Sequence, residues 1–245
     1  MVAKASYLLR ALSSGNAPGM TTTELASSTG LSRPTAHRLL WFLAEEGLVD
    51  RDTTAGRWHL GPELFLLGAA AATRYDITER ARDILADLAD QTGESAYLSA
   101  ARGQETVCLL EVEGSFPLRS HVLYEGIRFP LGVASAGLAI LAHLPGNEAA
   151  AYVAASDLVP SWGRSHSRRA LRARVAATRG TGYAVNPGLV VAGSWGIAAA
   201  VFDQNDRPRW ALSLTGVESR FTAQRIPRLG RLLLRSAHLL SQRVR

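Results

Sequence analysis

Apolar residues change their period along this chain, and each change marks a boundary. In residues 33 to 46, Ala36, Leu39, Leu40 and Leu43 recur at i, i+3, i+4 and i+7, the stripe of a helix with one buried face. Ser32 precedes it as N-cap, Pro34 sits in the first turn where a missing N–H is harmless, and Gly47 closes it. Upstream, Leu8, Leu9 and Leu12 predict a first helix, broken by Gly15, Pro18 and Gly19. "TTTELASSTG" predicts a short second helix, opened by a Thr21–Glu24 capping box and ended by Gly30. The segments "LVDR" and "RWHLG" flank the polar turn "DTTAG" and predict a hairpin. Three helices and a hairpin, with a very short turn between helices two and three, describe a winged helix-turn-helix over residues 1–61.

Beyond it the pattern loosens. "PELFLLGAAAATRY" predicts an Ala/Leu-rich linker helix over 62–75, with little charge and a surface suited to pairing. From Asp76 to Arg245 helical and strand periods mix. An amphipathic helix, "DITERARDILADLADQTG", precedes the strand-like runs "ESAYLSAARG", "ETVCLLEVEG" and "FPLRSHVLYEG". A loop and helix follow in "FPLGVASAGLAILAHLP", then helices near 147–156 and 167–180, and "GTGYAVNPG" reads as a turn cluster. Strands "SWGIAAAVFD" and "RWALSLTGVES" flank "QNDRPR", and a long Arg/Leu helix, its start delayed by Pro227, ends the chain. Antiparallel strands grouped between helices give an α+β sheet domain.

The third helix carries the first candidate chemistry. His37, Arg38, Pro34 and Trp41 fall opposite its apolar stripe, with Arg33 at the edge, while Glu45 and Glu46 are kept to the far end. A basic helix face is ordinarily just solvated. Here the donors crowd the N-terminal half, the half that a helix-turn-helix inserts into the major groove. Ser32, Arg33, Thr35, His37 and Arg38 suit phosphate oxygens or base edges, and Arg51 and Arg57 bracket the turn of the wing. Trp41 is left with two roles, packing on the wing or on a partner chain.

Charge adds little to this. The net charge is +6 with an isoelectric point near 10.1, which favours a polyanionic partner. Yet residues 1–61 hold six Lys/Arg against five Asp/Glu. The acid-free arginine clusters lie later, in "RSHSRRALRARVAATR" and the C-terminal helix, where they read as solvated helix faces. No apolar run reaches the length of a membrane span, and the start lacks a signal-peptide pattern, so a cytoplasmic protein is expected. Cys108, the single cysteine, reads as a buried small hydrophobe.

An enzyme is the rival class. Ser135 lies in Gly-x-x-Ser-x-Gly, one residue away from a nucleophile elbow, and the six histidines show no metal-ligand spacing, so neither catalysis, a metal nor a cofactor is expected.

The ordered series "TTTELASSTGLSRPTAHRLLWFLAEEGLV", "GRWHLGPELFLLG", "ARDILADLADQTGESAYLS", "GIRFPLGVASAGLAILAHLP", "RGTGYAVN", "IAAAVFD" and "ALSLTGVESRFT" resembles the isocitrate lyase regulator (IclR) family of bacterial transcription factors over nearly the full length. The resemblance implies a winged helix-turn-helix, a linker helix and a GAF-like effector domain. It also implies dimers or tetramers on palindromic operators of double-stranded DNA, more often repressors than activators. Carried onto this chain, the helix-turn-helix adds Thr21 to the DNA-facing set. The effector positions are Ala134, Ser135, Ala136, Gly137, Asn186, Trp195, Gly196, Ser213 and Thr215, where the family binds small molecules, often organic acids. Asn186 stands where the family often has Asp, and Trp195–Gly196 where it often has Arg–Cys. The expected effector is a small carboxylate held at the helix beginning near Ser135, with Ser213 and Thr215 on one strand face. Trp195 either stacks on that ligand or fills its place, and the second case gives a regulator that needs no ligand.

Overall fold

The computed structural model describes residues 1–13, 19–72, 76–118, 120 and 122–245. Gly15 and Pro18, the last residues of the linker stretch, and Arg119 and His121 of the third strand-like run lie outside them. The chain divides into two compact units, Met1–Asp76 and Ile77–Arg245.

In the first unit, α1 (Val2–Ser13), α2 (Thr22–Thr29) and α3 (Arg33–Glu45) pack around Leu8, Leu25, Leu40, Val49 and Trp58. The α3 stripe Ala36, Leu39, Leu40 and Leu43 is buried as its period requires. The α2 capping box forms: the Thr21 N–H donates to Glu24 Oε2 at 2.7 Å, and the Glu24 N–H donates to Thr21 Oγ1 at 3.3 Å. Gly30 ends α2 at φ +67° and Gly47 follows α3 at φ +67°, left-handed positions that favour glycine. The wing has three strands rather than two. β2 (Val49–Asp52) and β3 (Arg57–Leu60) form the hairpin, and β1 (Met20–Thr21) pairs with the other edge of β3. Two residues are too short to carry an alternation that sequence can reveal. α4 (Pro62–Ala72) follows, with no buried residue in this unit.

The second unit is a six-stranded antiparallel sheet in the order β6-β5-β4-β9-β8-β7. Its strands are β4 (Ser95–Arg102), β5 (Glu105–Val112), β6 (Arg128–Pro130), β7 (Tyr183–Pro187), β8 (Ser194–Phe202) and β9 (Pro208–Val217). α5 (Ile77–Thr92) and α10 (Arg225–Arg243) cover one face, over Leu98, Ile197, Leu212 and Leu214. α6 (Ser135–His143), α7 (Gly146–Ala155) and α9 (Arg168–Thr181) lie with the other face, over Tyr97, Ala198 and Ala211. A short helix, α8 (Val159–Trp162), and a 3-10 turn at Arg164–His166 precede α9. Cys108 is buried in this core, and burial pushes its thiol up to about 12, which keeps it protonated and inert.

Several sequence expectations change here. The described residues of "FPLRSHVLYEG" form bends and turns, because Pro117 offers no N–H and the chain reaches the edge of β5 only at residues 126–127. "GTGYAVNPG" contains β7, whose alternating burial is masked in sequence by the glycines on either side. Pro227 does not delay α10, since it is the third residue of the helix and its absent N–H falls in the first turn. Nor are the arginine clusters merely solvated. Arg179 donates to the Ala142 carbonyl at 2.6 Å and Arg168 to the Ser156 carbonyl at 3.0 Å. Arg243 grips Asp83 through two bonds of 2.6 and 2.7 Å.

Candidate DNA-reading and effector sites

The start of α3 presents Ser32, Arg33, His37 and Arg38 to solvent, with Thr35 half-buried. Ser32 occupies the N-cap position, but its hydroxyl bonds to Thr35 Oγ1 at 2.8 Å instead of capping a backbone N–H. The first N–H groups of α3 therefore lack a side-chain cap and remain available to an anion. Arg33 and Arg38 make no ion pair among the described residues. Trp41 packs on the wing while staying 45% exposed: its ring meets buried Trp58 edge-on at 6.1 Å, and its N–H donates to His37 Nε2 at 3.1 Å. That bond leaves Nδ1 of His37 to carry the ring proton.

The wing arginines part ways. Arg51 is exposed and lies over the Trp58 ring, 5.6 Å from its centroid. Arg57 turns inward, donating to the Gly19 carbonyl at 2.8 Å and lying 3.6 Å from Glu24. Thr21 is half-buried, its hydroxyl bonded to Glu24 at 2.9 Å. These two residues build the wing and α2, and the exposed donors are those of α3 and Arg51.

In the second unit the β7-β8-β9-β4 register lines up Asn186, Gly196, Thr215 and Ser95 as one cross-strand row. The start of α6 lies over that row. A Cβ on Gly196 would sit 3.0 Å from Ser135 Oγ and 3.6 Å from Thr215 Cγ2, so a larger residue there would press on the Ser135 hydroxyl. A small cavity results, bordered by Ala134, Ser135, Asn186, Trp195, Gly196 and Thr215, and roofed by Val122, Leu123, Val190 and Ser194. Its free volume is about 20 Å³, room for one water rather than for a metabolite. The Ser213 hydroxyl is buried with no hydrogen-bond partner among the described residues, and the buried Thr215 hydroxyl lies beside that of Tyr97. Ala134 is the N-cap of α6 and supplies no capping bond, so that helix start is open as well.

Other expected effector residues have different work. Ala136, Gly137 and Ser213 do not border the cavity. Gly137 lets α6 approach residues 130–132: a Cβ there would lie 3.2 Å from the Gly132 nitrogen and the Leu131 Cα. Trp195 borders the cavity, but its indole belongs to the opposite layer, beside Phe221 at 6.4 Å. The pleat dictates this, because Gly196 faces α6 and its neighbour must face away. Trp195 is therefore neither a stacking platform nor a plug. Asn186 borders the cavity and is also tied to the backbone, donating to the Val133 carbonyl at 2.7 Å and accepting from the Leu189 N–H at 2.8 Å.

The approach to α6 is clamped in a way the sequence did not disclose. Tyr152 donates to the Leu131 carbonyl at 2.8 Å, Arg174 to that of Gly132 at 3.0 Å, and Asn186 to that of Val133. Three side chains from three elements thus fix three consecutive carbonyls, which sets the position of the helix start. Among the described residues no group of His, Cys, Asp and Glu could hold a metal ion, and no helix is long and apolar enough to cross a membrane.

Comparison with known proteins agrees with this geometry. Residues 1–53 match the IclR helix-turn-helix domain, and residues 69–242 match the C-terminal domain of bacterial IclR transcriptional regulators. The HTH-type transcriptional regulator KipR of Bacillus subtilis is 28% identical over 228 residues, 93% of this chain and 90% of that protein. The crystal structure of an IclR-type transcriptional regulator from Alicyclobacillus acidocaldarius superposes with a TM-score of 0.80 at 26% identity, over 98% of this chain and 97% of that one. An IclR homologue from Microbacterium hydrocarbonoxydans, complexed with 4-hydroxybenzoate, shares the fold with a TM-score of 0.79 at 20% identity, covering 99% and 98% of the two chains. The chain belongs to the IclR family of DNA-binding bacterial transcriptional regulators.

Proposed function

We propose that this chain is a ligand-responsive repressor that acts in the cytoplasm on a palindromic operator, as a homodimer or a dimer of dimers. On this reading residues 1–61 bind DNA, 62–75 link, and 76–245 receive the effector. Ser32, Arg33, Thr35, His37 and Arg38 enter the major groove, and Arg51 lies along the backbone. Repression follows if the seated dimer excludes other proteins from the promoter.

The effector is a small carboxylate with a compact apolar or aromatic body. The observation that carries this is the conjunction at the start of α6: an uncapped helix N-terminus beside the buried Thr215 hydroxyl, in a cavity with no cation in its lining. The helix start favours one negative charge, while the absence of an arginine disfavours a second. Entry requires the roof around Val122 and Val190 to move. Gly188 and Gly193, at φ +71° and +80°, flank the Val190 segment.

The free volume of about 20 Å³ favours a second reading, a regulator whose cavity stays closed and which needs no ligand. Thermal unfolding with 4-hydroxybenzoate, other small aromatic and aliphatic acids, and matched neutral amides separates the two. The ligand-responsive reading expects at least one acid to raise the melting temperature, to shift operator affinity, and to lose both effects in Thr215→Val. If no acid does so, the closed-cavity reading stands. If only amides bind, the carboxylate assignment is wrong.

A further inference from the structure

A second concavity in the same unit has a different character. It lies between the C-terminal end of α5 and the first turns of α10, encloses about 190 Å³, and is bordered by Gln91, Thr92, Arg225, Arg228, Leu232 and Arg235. No carboxylate borders it. From position 219 to position 245 the chain has seven arginines and no Asp or Glu.

The wall of the concavity is already over-supplied with positive charge. Glu94 is 2% exposed and receives both Arg220 Nε and Arg225 Nη1 at 2.6 Å. Two guanidinium groups share one buried carboxylate, and neither makes another ion pair among the described residues. Arg225 and Arg220 also donate to the Thr92 carbonyl, at 2.6 and 3.0 Å, which anchors both to the end of α5. Arg228 and Arg235 are exposed and make no ion pair among the described residues. They stand seven residues apart, two turns along one side of α10, roughly 10 Å along its axis. One monoanion cannot satisfy both, whereas a ligand with two or more charged groups can.

We propose that this concavity is a binding site for a small, multiply charged anion, a phosphoryl compound or a di- or tricarboxylate. Arg228 and Arg235 supply forked donors to its charged groups, Gln91 a neutral donor, and Leu229 and Leu232 an apolar floor. The site stands apart from the proposed effector cavity, which no cation borders. The inference therefore does not depend on what that cavity binds.

Calorimetry on the full chain at fixed ionic strength, with pyrophosphate and separately with citrate, tests the proposal and distinguishes the two sources. Saturable binding of at least one anion is expected, weakened about tenfold by Arg228→Ala or by Arg235→Ala. Arg231→Ala removes the same charge from the same helix without bordering the concavity, and it should bind like the parent. Because Arg228 and Arg235 are exposed, their variants should melt with the parent in buffer alone. Binding of neither anion overturns the proposal, and so does an equal loss in Arg231→Ala. A third arm uses duplex DNA lacking an operator. Unchanged affinity in the Arg228→Ala/Arg235→Ala double variant is expected, and a loss there without small-anion binding would reassign the groove to DNA phosphates.

Discussion

Asn186 shows how one residue can border a cavity and hold the backbone around it. Its place in the family pattern points to ligand contact, and it does border the cavity, but its amide also holds the Val133 carbonyl and the Leu189 N–H. A carboxylate at this position keeps the acceptor and loses the donor. Asn186→Asp should therefore cost about 1–3 kcal/mol at neutral pH by urea unfolding, since a buried anion would face a carbonyl. Burial and that carbonyl raise the new carboxyl's pKa, so the deficit should shrink as the pH falls and the protonated acid donates again. A deficit that does not change with pH would contradict this geometry. Trp195 teaches a related lesson. Sequence placed it beside the cavity correctly, but its face depended on the pairing register, which spacing alone does not give.

At the level of elements, what could be read from sequence was whatever is local. The α3 stripe, the capping box and the glycine stops each rest on residues a few positions apart, and each forms. The pairing of β1 with β3, the arginine clamps on distant carbonyls and the three donors fixing residues 131–133 rest on partners tens of residues away. No short-range signal announces them. The capping box also gives a pH prediction. Bonds from the Thr21 N–H, and then from its hydroxyl, hold the Glu24 carboxyl below the ordinary carboxylate range. Because the folded pKa is the lower one, its contribution is complete above the unfolded value and is lost as the pH falls through the folded value. Glu24→Gln retains an acceptor for the Thr21 N–H but does not titrate. Circular dichroism melts below pH 5 should show a shallower acid loss in this variant, and an unchanged slope would contradict the assignment.

For the whole molecule, assembly is the open consequence of α4. Phe65, Leu66 and Leu67 are 78%, 57% and 52% exposed on a helix with no buried residue in its own unit. Such a surface is expected to be covered by a second copy. Light scattering at micromolar concentration should return at least twice the chain mass of 26.3 kDa without DNA, and a monomer would contradict that expectation. The layered sheet was legible as a class, because strands grouped between helices restrict the architecture. The strand order was not, since β4 pairs with β9 from a distant part of the chain, which leaves no mark on periodicity.

DNA reading by the start of α3 is the central claim, and an operator titration tests it most directly. Operators selected from random duplexes with the full chain should show two related half-sites, a helical turn or a multiple of it apart. Fluorescence anisotropy at fixed salt should then show Arg33→Ala and Arg38→Ala each weakening the selected operator by about 1–3 kcal/mol if they contact bases, with relaxed preference at the contacted position. Both side chains are exposed and outside the core, so the variants should melt with the parent. Equal operator affinity in both variants and the parent, or selection that yields no common sequence, would contradict the account.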